Sequence, residues 1–353
     1  MADQQKRRLI FMGTPDFAAR VLQRIAEWSF GEIVAIYTQP DSPSGRGQKL
    51  LPPPVAVLAR ELGLPIFQPA SLNPLQVQQE FAALRPDFLL TAAYGLILPD
   101  AVLTAPRFPP LNVHPSLLPR YRGAAPVQRS IMENWQTDAR IGVSVIRIIS
   151  RLDAGPVYTT SHVAVADRTA GNLLALLAED GATLLLRVVK EILAGTANSL
   201  PQDEALATYA PKISKDDGLV DWHRPALAVH AHIRAMTPCP GGRAVFRIVA
   251  QPSSAPLSAS QGGKFETALS TSQTREWPLL LLPGRPGTSC EGHAAGTMIR
   301  TRDSLSVACE DCWYELLEVR PQGAFTMPVR DFINGRLRGL PLGLCGSACC
   351  NTA

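Results

Sequence analysis

What the 353-residue sequence lacks narrows its class before any motif is read. It has no apolar run of the roughly 18–20 residues that a membrane-crossing helix takes, so no such helix is expected. After Arg7 and Arg8 the apolar stretch from Leu9 stops at Gly13, too short for the core of a signal peptide. Asp3 in the lead-in speaks against a transit peptide, and a cytoplasmic protein is expected. A large excess of one charge is also missing. The net charge of +4 does not by itself announce a nucleic-acid binder, although it leaves room for a local basic patch. Cysteine is absent before Cys239, and all seven lie in the last third: Cys239, Cys290, Cys309, Cys312, Cys345, Cys349 and Cys350. An odd number in a cytosolic chain argues against a disulfide framework. Cys309 and Cys312 with Cys345 and Cys349 can be written as a zinc site, but the Gly/Ser/Ala surroundings of the last two do not support one. No metal is expected; the thiols read as reduced, in a strand pair and a loose tail.

What is present is ordinary: 46% hydrophobic and 18% charged residues, enough to bury a sizeable core. The length predicts two domains. In the first, a short apolar strand at Arg8–Met12 ends at Gly13, and Thr14-Pro15-Asp16 opens a helix over Phe17–Trp28. Further strands are predicted at Gly31–Thr38, Pro65–Gln68, Asp87–Ala93, Leu111–His114 and Gly142–Ile149, separated by helices at 55–62, 74–84, 99–103 and 125–134. A polar Pro/Gly/Ser loop fills 39–54, and a long amphipathic helix runs from Thr169 to Ala194. This alternation gives an α/β fold: a doubly wound, mostly parallel, Rossmann-like sheet over residues 1–195. Residues 196–221 read as a linker. Residues 222–353 open with a helix and continue as short strands with Gly/Pro turns, which predicts a small OB-like β-barrel. A Ser/Thr/Gln-rich insertion lies near 251–276.

Ligands of doubly wound folds sit beyond the carboxyl ends of the strands. At one such end stands Leu111-Asn112-Val113-His114-Pro115-Ser116-Leu117-Leu118-Pro119-Arg120-Tyr121-Arg122-Gly123-Ala124-Ala125-Pro126. The two-residue period of a strand puts Asn112 and His114 on one face. An amide and an imidazole side by side can donate to a developing oxyanion, and the imidazole can also move a proton near neutrality. After the next strand, Leu152-Asp153-Ala154-Gly155 offers a carboxylate that can orient His114 and favour its charged form. Singly these residues read as a turn cap, a core histidine and a turn. Together, at strand ends, they read as a site.

The same stretches carry a resemblance. Asn-x-His-Pro-Ser-Leu-Leu-Pro-x-Tyr-Arg-Gly-Ala-Ala-Pro followed by Leu-Asp-x-Gly is similar to the folate-dependent formyltransferases. Thr38-Gln39-Pro40-Asp41 with Gly45-Arg46-Gly47, Ala93-Tyr94-Gly95-Leu96-Ile97-Leu98-Pro99, Gln128-Arg129-Ser130 and Tyr209-Ala210-Pro211-Lys212-Ile213 resemble the members that formylate a charged initiator tRNA. The likeness runs over 8–240 and, more thinly, through Met327–Arg338. It implies transfer of the formyl group of 10-formyltetrahydrofolate to the α-amine of methionyl-initiator tRNA. Asn112, His114 and Asp153 would be catalytic. Tyr94, Leu96, Ile97 and Leu98 with Ser116, Leu117, Leu118 and Pro119 would line the folate slot. The tRNA would meet Arg46, Lys49, Lys212 and Arg336. Read without the resemblance, Arg46 and Lys49 still give the 39–49 loop a flexible, basic character suited to a phosphate backbone. The implied protein is a monomer without membrane partners. Thr237-Pro238-Cys239-Pro240-Gly241 departs from the family, which often has an aromatic between the prolines; the insertion and the cysteine-rich end depart as well.

Two rivals stay on the same scaffold: an amino-sugar nucleotide formyltransferase, and a non-catalytic RNA-binding protein. The Gly45-Arg46-Gly47 loop argues against the first and the intact Asn112, His114 and Asp153 against the second. A glycinamide ribonucleotide formyltransferase would end near residue 200. A nicotinamide dehydrogenase would need G-x-G-x-x-G, which Gly13-Thr14-Pro15-Asp16-Phe17-Ala18 is not.

Overall fold

The computed structural model describes residues 6–29, 31–44, 49–136, 140–249, 274–337 and 343–349. They divide into two units, one of residues 1–130 and 138–213, the other of 131–137 and 214–353. The first contains β1 (Arg7–Gly13), α1 (Asp16–Ala26), β2 (Gly31–Tyr37), β3 (Ser42–Ser44), β4 (Lys49–Leu51), α2 (Pro54–Glu61), β5 (Ile66–Phe67), α3 (Leu75–Ala83), β6 (Phe88–Ala92) and α4 (Asp100–Thr104). It continues with β7 (Leu111–His114), β8 (Arg122–Gly123), α5 (Pro126–Glu133), β9 (Arg140–Arg147), β10 (Val157–Ala164), α6 (Ala170–Ala194) and β11 (Tyr209–Ala210).

Its main sheet has the order β10-β9-β7-β6-β1-β2-β5. Five strands, β7 to β5 in that order, are parallel, and β9 and β10 close one edge as an antiparallel pair. The strand order reverses between β1 and β6, whose ends meet at Gly13 and Ala92. A Cβ on Gly13 would sit 2.8 Å from the Ala92 carbonyl, so only glycine lets the chain turn there. On α1 the buried residues Phe17, Ala18, Val21, Leu22 and Ile25 recur at helical spacing and form one face. Each large one contributes roughly 1.5–3 kcal/mol on burial.

The long helix α6 sets the back wall of the site. Thr169 caps it, accepting from the Asn172 amide at 3.2 Å, and Gly195 ends it at φ +71°. Gly181 brings it down onto β7 and β9, for a Cβ there would come within 2.4 Å of Val113 Cγ1. Leu111 and Val113 of β7 are buried, and Asn112 and His114 are left for the opposite face.

Three parts of this unit differ from the sequence reading. The predicted 39–54 loop contains the antiparallel pair β3–β4. Strand β10 was not predicted, because its Thr/Ser-rich sequence with alternate residues exposed suits a sheet edge and carries a weak apolar signal. The stretch read as a linker supplies β11, which pairs in parallel with β8 (Tyr209 with Arg122, Ala210 with Gly123).

The second unit holds α7 (Ala226–Met236), β12 (Gly242–Val249), β13 (Thr274–Leu281), β14 (Arg285–Ser289), β15 (Thr297–Arg300), β16 (Leu305–Ala308), β17 (Cys312–Leu316), β18 (Glu318–Pro321), β19 (Met327–Pro328), α8 (Val329–Arg336) and β20 (Gly343–Cys349). Nine strands make one curled antiparallel sheet in the order β14-β17-β16-β15-β20-β12-β13-β18-β19, a half-barrel of OB-like kind. Trp222, Phe246, Tyr314 and Phe332 anchor its core. The buried Tyr314 hydroxyl accepts from the Gly284 amide at 2.8 Å and lies 3.0 Å from His230 Nδ1, so its polarity is satisfied.

The cysteine-rich end is not a loose tail. As β20 it lies between β12 and β15, with Cys349 opposite Val245 and Ser347 opposite both Arg247 and Thr297. Cys290 and Cys309 are buried, and burial pushes the Cys309 thiol up. Among the described residues no group of three or more His, Cys, Asp or Glu is arranged to hold a metal ion, and no helix is long and apolar enough to cross a membrane. Of the 251–276 insertion, residues 251–273 lie outside the described residues, and Thr274 onward is β13.

Candidate active site

The parallel register of β6 and β7 sets Thr91 beside Asn112. The Thr91 hydroxyl donates to Asn112 Oδ1 at 2.8 Å. That bond fixes the carboxamide with its oxygen engaged and its NH2 as the donor end.

Two residues on, His114 is 4% exposed. Its Nε2 lies 2.9 Å from the Tyr121 carbonyl. A carbonyl only accepts, so the neutral ring carries its proton on Nε2 and leaves Nδ1 as the reactive nitrogen. Nδ1 faces Asp153 Oδ2 at 3.6 Å. This is ion-pair distance and too long for a direct hydrogen bond, and it leaves room for a proton to be handled between the two groups. The same Oδ2 accepts from the Gly123 amide at 2.9 Å. The predicted trio is thus brought together: Asn112 and His114 by strand alternation, His114 and Asp153 by direct approach.

Strained backbone surrounds the trio. Ala93 (φ +45°), Tyr121 (+60°) and Asp153 (+49°) all occupy the left-handed region without being glycine. Such conformations cost about 1–3 kcal/mol each and persist only where the surroundings over-determine them. The restraints are on view. Tyr121 donates its amide to Thr208 Oγ1 at 2.8 Å, and the carbonyl of Tyr94, next to Ala93, accepts from Thr14 Oγ1 (2.8 Å) and Gln39 Nε2 (3.1 Å).

The Asp153 turn also has no space to spare. A Cβ on Gly155 would stand 1.8 Å from the Arg147 carbonyl oxygen, whose own amide is bonded to Pro156 O at 3.0 Å. Backbone on both sides blocks relief, so Gly155→Ala is expected to destabilise the protein by about 2–3 kcal/mol. Chemical unfolding checks this; an unchanged midpoint would mean the turn is looser than drawn.

A charged cluster flanks the turn. Arg122, buried, bonds Gln202 Oε1 through Nη2 (2.8 Å) and Nε (3.1 Å), and Glu204 through both terminal nitrogens (2.9 and 3.1 Å). Arg151 adds a 2.7 Å bond to Glu204. Hydrogen bonds from Arg122 first, then Arg151, hold the Glu204 carboxyl down at about 2, against its ordinary 4.5. A depressed carboxylate stabilises the fold above its unfolded pKa and loses that contribution as pH falls through the folded value. The stability difference between wild type and Glu204→Gln is therefore expected to hold steady down to about pH 4.5 and to close between there and about pH 2. Urea unfolding at a series of pH values reads it. A difference that closes near neutrality would break the assignment.

The other predicted residues are placed as follows. Leu96 and Leu98 pack against the core cluster that contains Tyr94, and Ile97 between them is 86% exposed. Leu152, beside Asp153, is 63% exposed. Ser116 is buried with its hydroxyl donated to the Arg120 carbonyl (2.8 Å), while the Ser144 hydroxyl donates to Ser116 O (2.7 Å) and accepts from the Leu118 amide (3.2 Å). These bonds lock the turn after β7; Leu117 and Pro119 are half-buried in it. Lys49 and Lys212 are exposed in the first unit, and Arg336 is exposed in the second with its guanidinium 5.6 Å from the Trp277 ring centre. Arg46 lies outside the described residues. Thr91, Gln202, Glu204 and Thr208 were missed, and Tyr121 stands in the quoted motif without a role of its own. Neither periodicity nor motif chemistry marks the four; the pairing of β8 with β11 and the bridge of Val157 with Leu200 bring the last three in.

Residues 6–189 match the model of the formyl transferase family, and residues 212–337 that of the formyl transferase C-terminal domain. Over 348 residues the chain is 50% identical to a methionyl-tRNA formyltransferase of Desulfovibrio desulfuricans, covering 99% of this chain and 98% of the relative. It is 40% identical over 325 residues to a methionyl-tRNA formyltransferase of Nitratidesulfovibrio vulgaris, covering 91% and 90%. Among solved structures, HypX from Aquifex aeolicus in complex with tetrahydrofolic acid superposes with a TM-score of 0.56 at 15% identity. That match covers 95% of this chain and 48% of HypX, so the chain spans about half of it. The sugar 3N-formyl transferase WlaRD, solved with dTDP and 5-N-formyl-THF, matches at 0.55 and 14% identity, over 91% of this chain and 99% of that one. At these identities the structural likeness is one of fold.

Proposed function

The chain belongs to the formyl transferase family, and we infer from its site that it transfers the formyl group of 10-formyltetrahydrofolate to the α-amine of methionyl-initiator tRNA. The observation that carries the chemistry is the pairing of a fixed amide donor, Asn112, with the His114–Asp153 couple at the carboxyl edge of the sheet. The donor supplies an activated formyl carbon. An α-amine has a pKa of about 7.7–8.0, so a fraction is neutral at pH 7 and attacks without strong activation. Asn112 donates its NH2 to the negative charge growing on the formyl oxygen. His114, through Nδ1, takes up the proton that leaves the amine, and the Asp153 carboxylate stabilises the resulting imidazolium; as the tetrahedral intermediate collapses the formyl C–N10 bond breaks, and the imidazolium returns that proton to the departing N10 of tetrahydrofolate.

The residues present fit a flat, mostly apolar folate. The exposed Ile97 and Leu152 are the apolar side chains that a pterin would cover, while Leu96 and Leu98 pack against the core cluster that contains Tyr94. Tyr94 and the locked turn of Ser116, Leu117, Leu118 and Pro119 shape the slot. We assign the chemistry to residues 1–195, whose Asp153 turn is completed from within 196–221, and the grip on tRNA to residues 222–353 together with the first unit's basic residues, with Arg46, Lys49, Lys212 and Arg336 meeting phosphates. The protein acts in the cytoplasm as a monomer, without metal or membrane. The test is incubation with 10-formyltetrahydrofolate and either methionyl-initiator tRNA or a UDP-amino sugar. Formyl-methionyl-tRNA is the expected product. Formylation of the sugar alone would overturn the reading.

A further inference from the structure

We propose that Gln202 is a positioning residue that holds the catalytic carboxylate of Asp153 in its left-handed turn. The proposal rests on the transfer reaction inferred above. Gln202 Nε2 donates to two carbonyls of that turn, Asp153 O at 2.7 Å and Gly155 O at 2.8 Å. Its Oε1 accepts twice from the buried Arg122. Arg122 is the chain neighbour of Gly123, whose amide holds Asp153 Oδ2. The contacts therefore close a ring: Asp153 carboxylate to the Gly123 amide, along one residue to Arg122, across to Gln202, and back to the Asp153 carbonyl. A second tie runs outside it, from Arg122 through Glu204 to Arg151, two residues before Asp153.

A ring of this kind does what a left-handed aspartate needs. The φ of +49° is unfavourable on its own, and the carboxylate must still face His114 Nδ1 at 3.6 Å. Both amide hydrogens of Gln202 are spent on the turn, and its oxygen is spent on a buried cation. No other side-chain type supplies two donors and one acceptor from a planar head on a stem of this length. Gln202 touches none of the groups assigned to the chemistry except through the Asp153 backbone. Its effect is thus on geometry, where a displacement of about 1 Å costs on the order of 100-fold in rate.

The segment that provides it is itself anchored to the loop after β7. Thr208 accepts the Tyr121 amide on its hydroxyl and the Arg122 amide on its carbonyl (2.9 Å), and Ala210 O accepts from Ala124 at 3.0 Å. Residues read from sequence as a connector thus complete the catalytic turn.

The experiment compares wild type, Gln202→Met and Gln202→Glu in formyl transfer to methionyl-initiator tRNA, alone and in an Asp153→Asn background. Glutamate keeps the shape and the Arg122 contact but turns an acceptor against two carbonyls; methionine keeps only the bulk. Both are expected to lower kcat about 10–100-fold with KM for either substrate within threefold. In the Asp153→Asn background the same changes are expected to cost less than about threefold, because the carboxylate they position is gone. If Gln202→Met fails to fold, judged by its thermal transition, Gln202→Glu carries the comparison alone. A Gln202→Glu enzyme with wild-type kcat, a loss confined to KM, or an equal loss in the Asp153→Asn background overturns the proposal. Failure of wild type to form formyl-methionyl-tRNA would instead strike the functional reading.

Discussion

Asn112→Ala lowers the rate of formyl transfer in a single turnover by about 10²–10³ and costs about 1–3 kcal/mol of stability, because the buried Thr91 hydroxyl loses its acceptor. The magnitude of the rate loss is that of removing one oxyanion donor. The geometry supports treating Asn112 as such a donor. Its oxygen is engaged by Thr91 at 2.8 Å, so the NH2 cannot rotate away without breaking that bond. The residue is also half-exposed on the face opposite Val113, and truncation opens no cavity in the core against α6. Substrate affinity should hold, because the bond strengthens only as charge develops. A mutant within threefold of wild type would remove Asn112 from the mechanism.

Asp153→Asn costs about 10²–10⁴, the range for losing an acid–base partner. The change is nearly isosteric, and Asn Oδ1 can still accept from the Gly123 amide, so the turn keeps its shape. What disappears is the negative charge facing His114 Nδ1. With Nε2–H held by the Tyr121 carbonyl, Nδ1 is the only nitrogen able to take a proton, and the cation so formed has lost its counter-charge. The measurement is the single-turnover rate with thermal unfolding alongside. A rate loss with an intact melting transition supports the role, whereas wild-type rate in Asp153→Asn would leave His114 to act alone.

Much of this was legible in the sequence because the relevant signals are local. Alternation along Leu111–His114 placed Asn112 and His114 on one face, and strand–helix alternation gave the parallel sheet whose edge they occupy. The match of His114 with Asp153 came from motif order, since the two lie 39 residues apart and no periodicity links them. What stayed hidden is long-range. Gln202 and Thr208 act through bonds to residues about 50 and 87 positions away, and a Gln or Thr in a polar stretch looks like any solvated loop residue. The β20 strand was missed for the opposite reason. Its Gly/Ser/Cys sequence has low strand propensity, and its place is set by the two neighbours that bond it.

That placement has a consequence for how the chain is made. Synthesis proceeds from the amino end, and domains generally fold as units while it does so. The first unit has every strand it needs by Ala210. The second does not: β12, formed by residue 249, must keep one edge open until Gly346–Cys349 arrive about 100 residues later, and β15 must do the same. From residue 249 this unit therefore carries one strand edge that waits for β20, and from residue 300 a second, both templates for pairing with other chains. The second unit thus stays open to mispairing until β20 has been made.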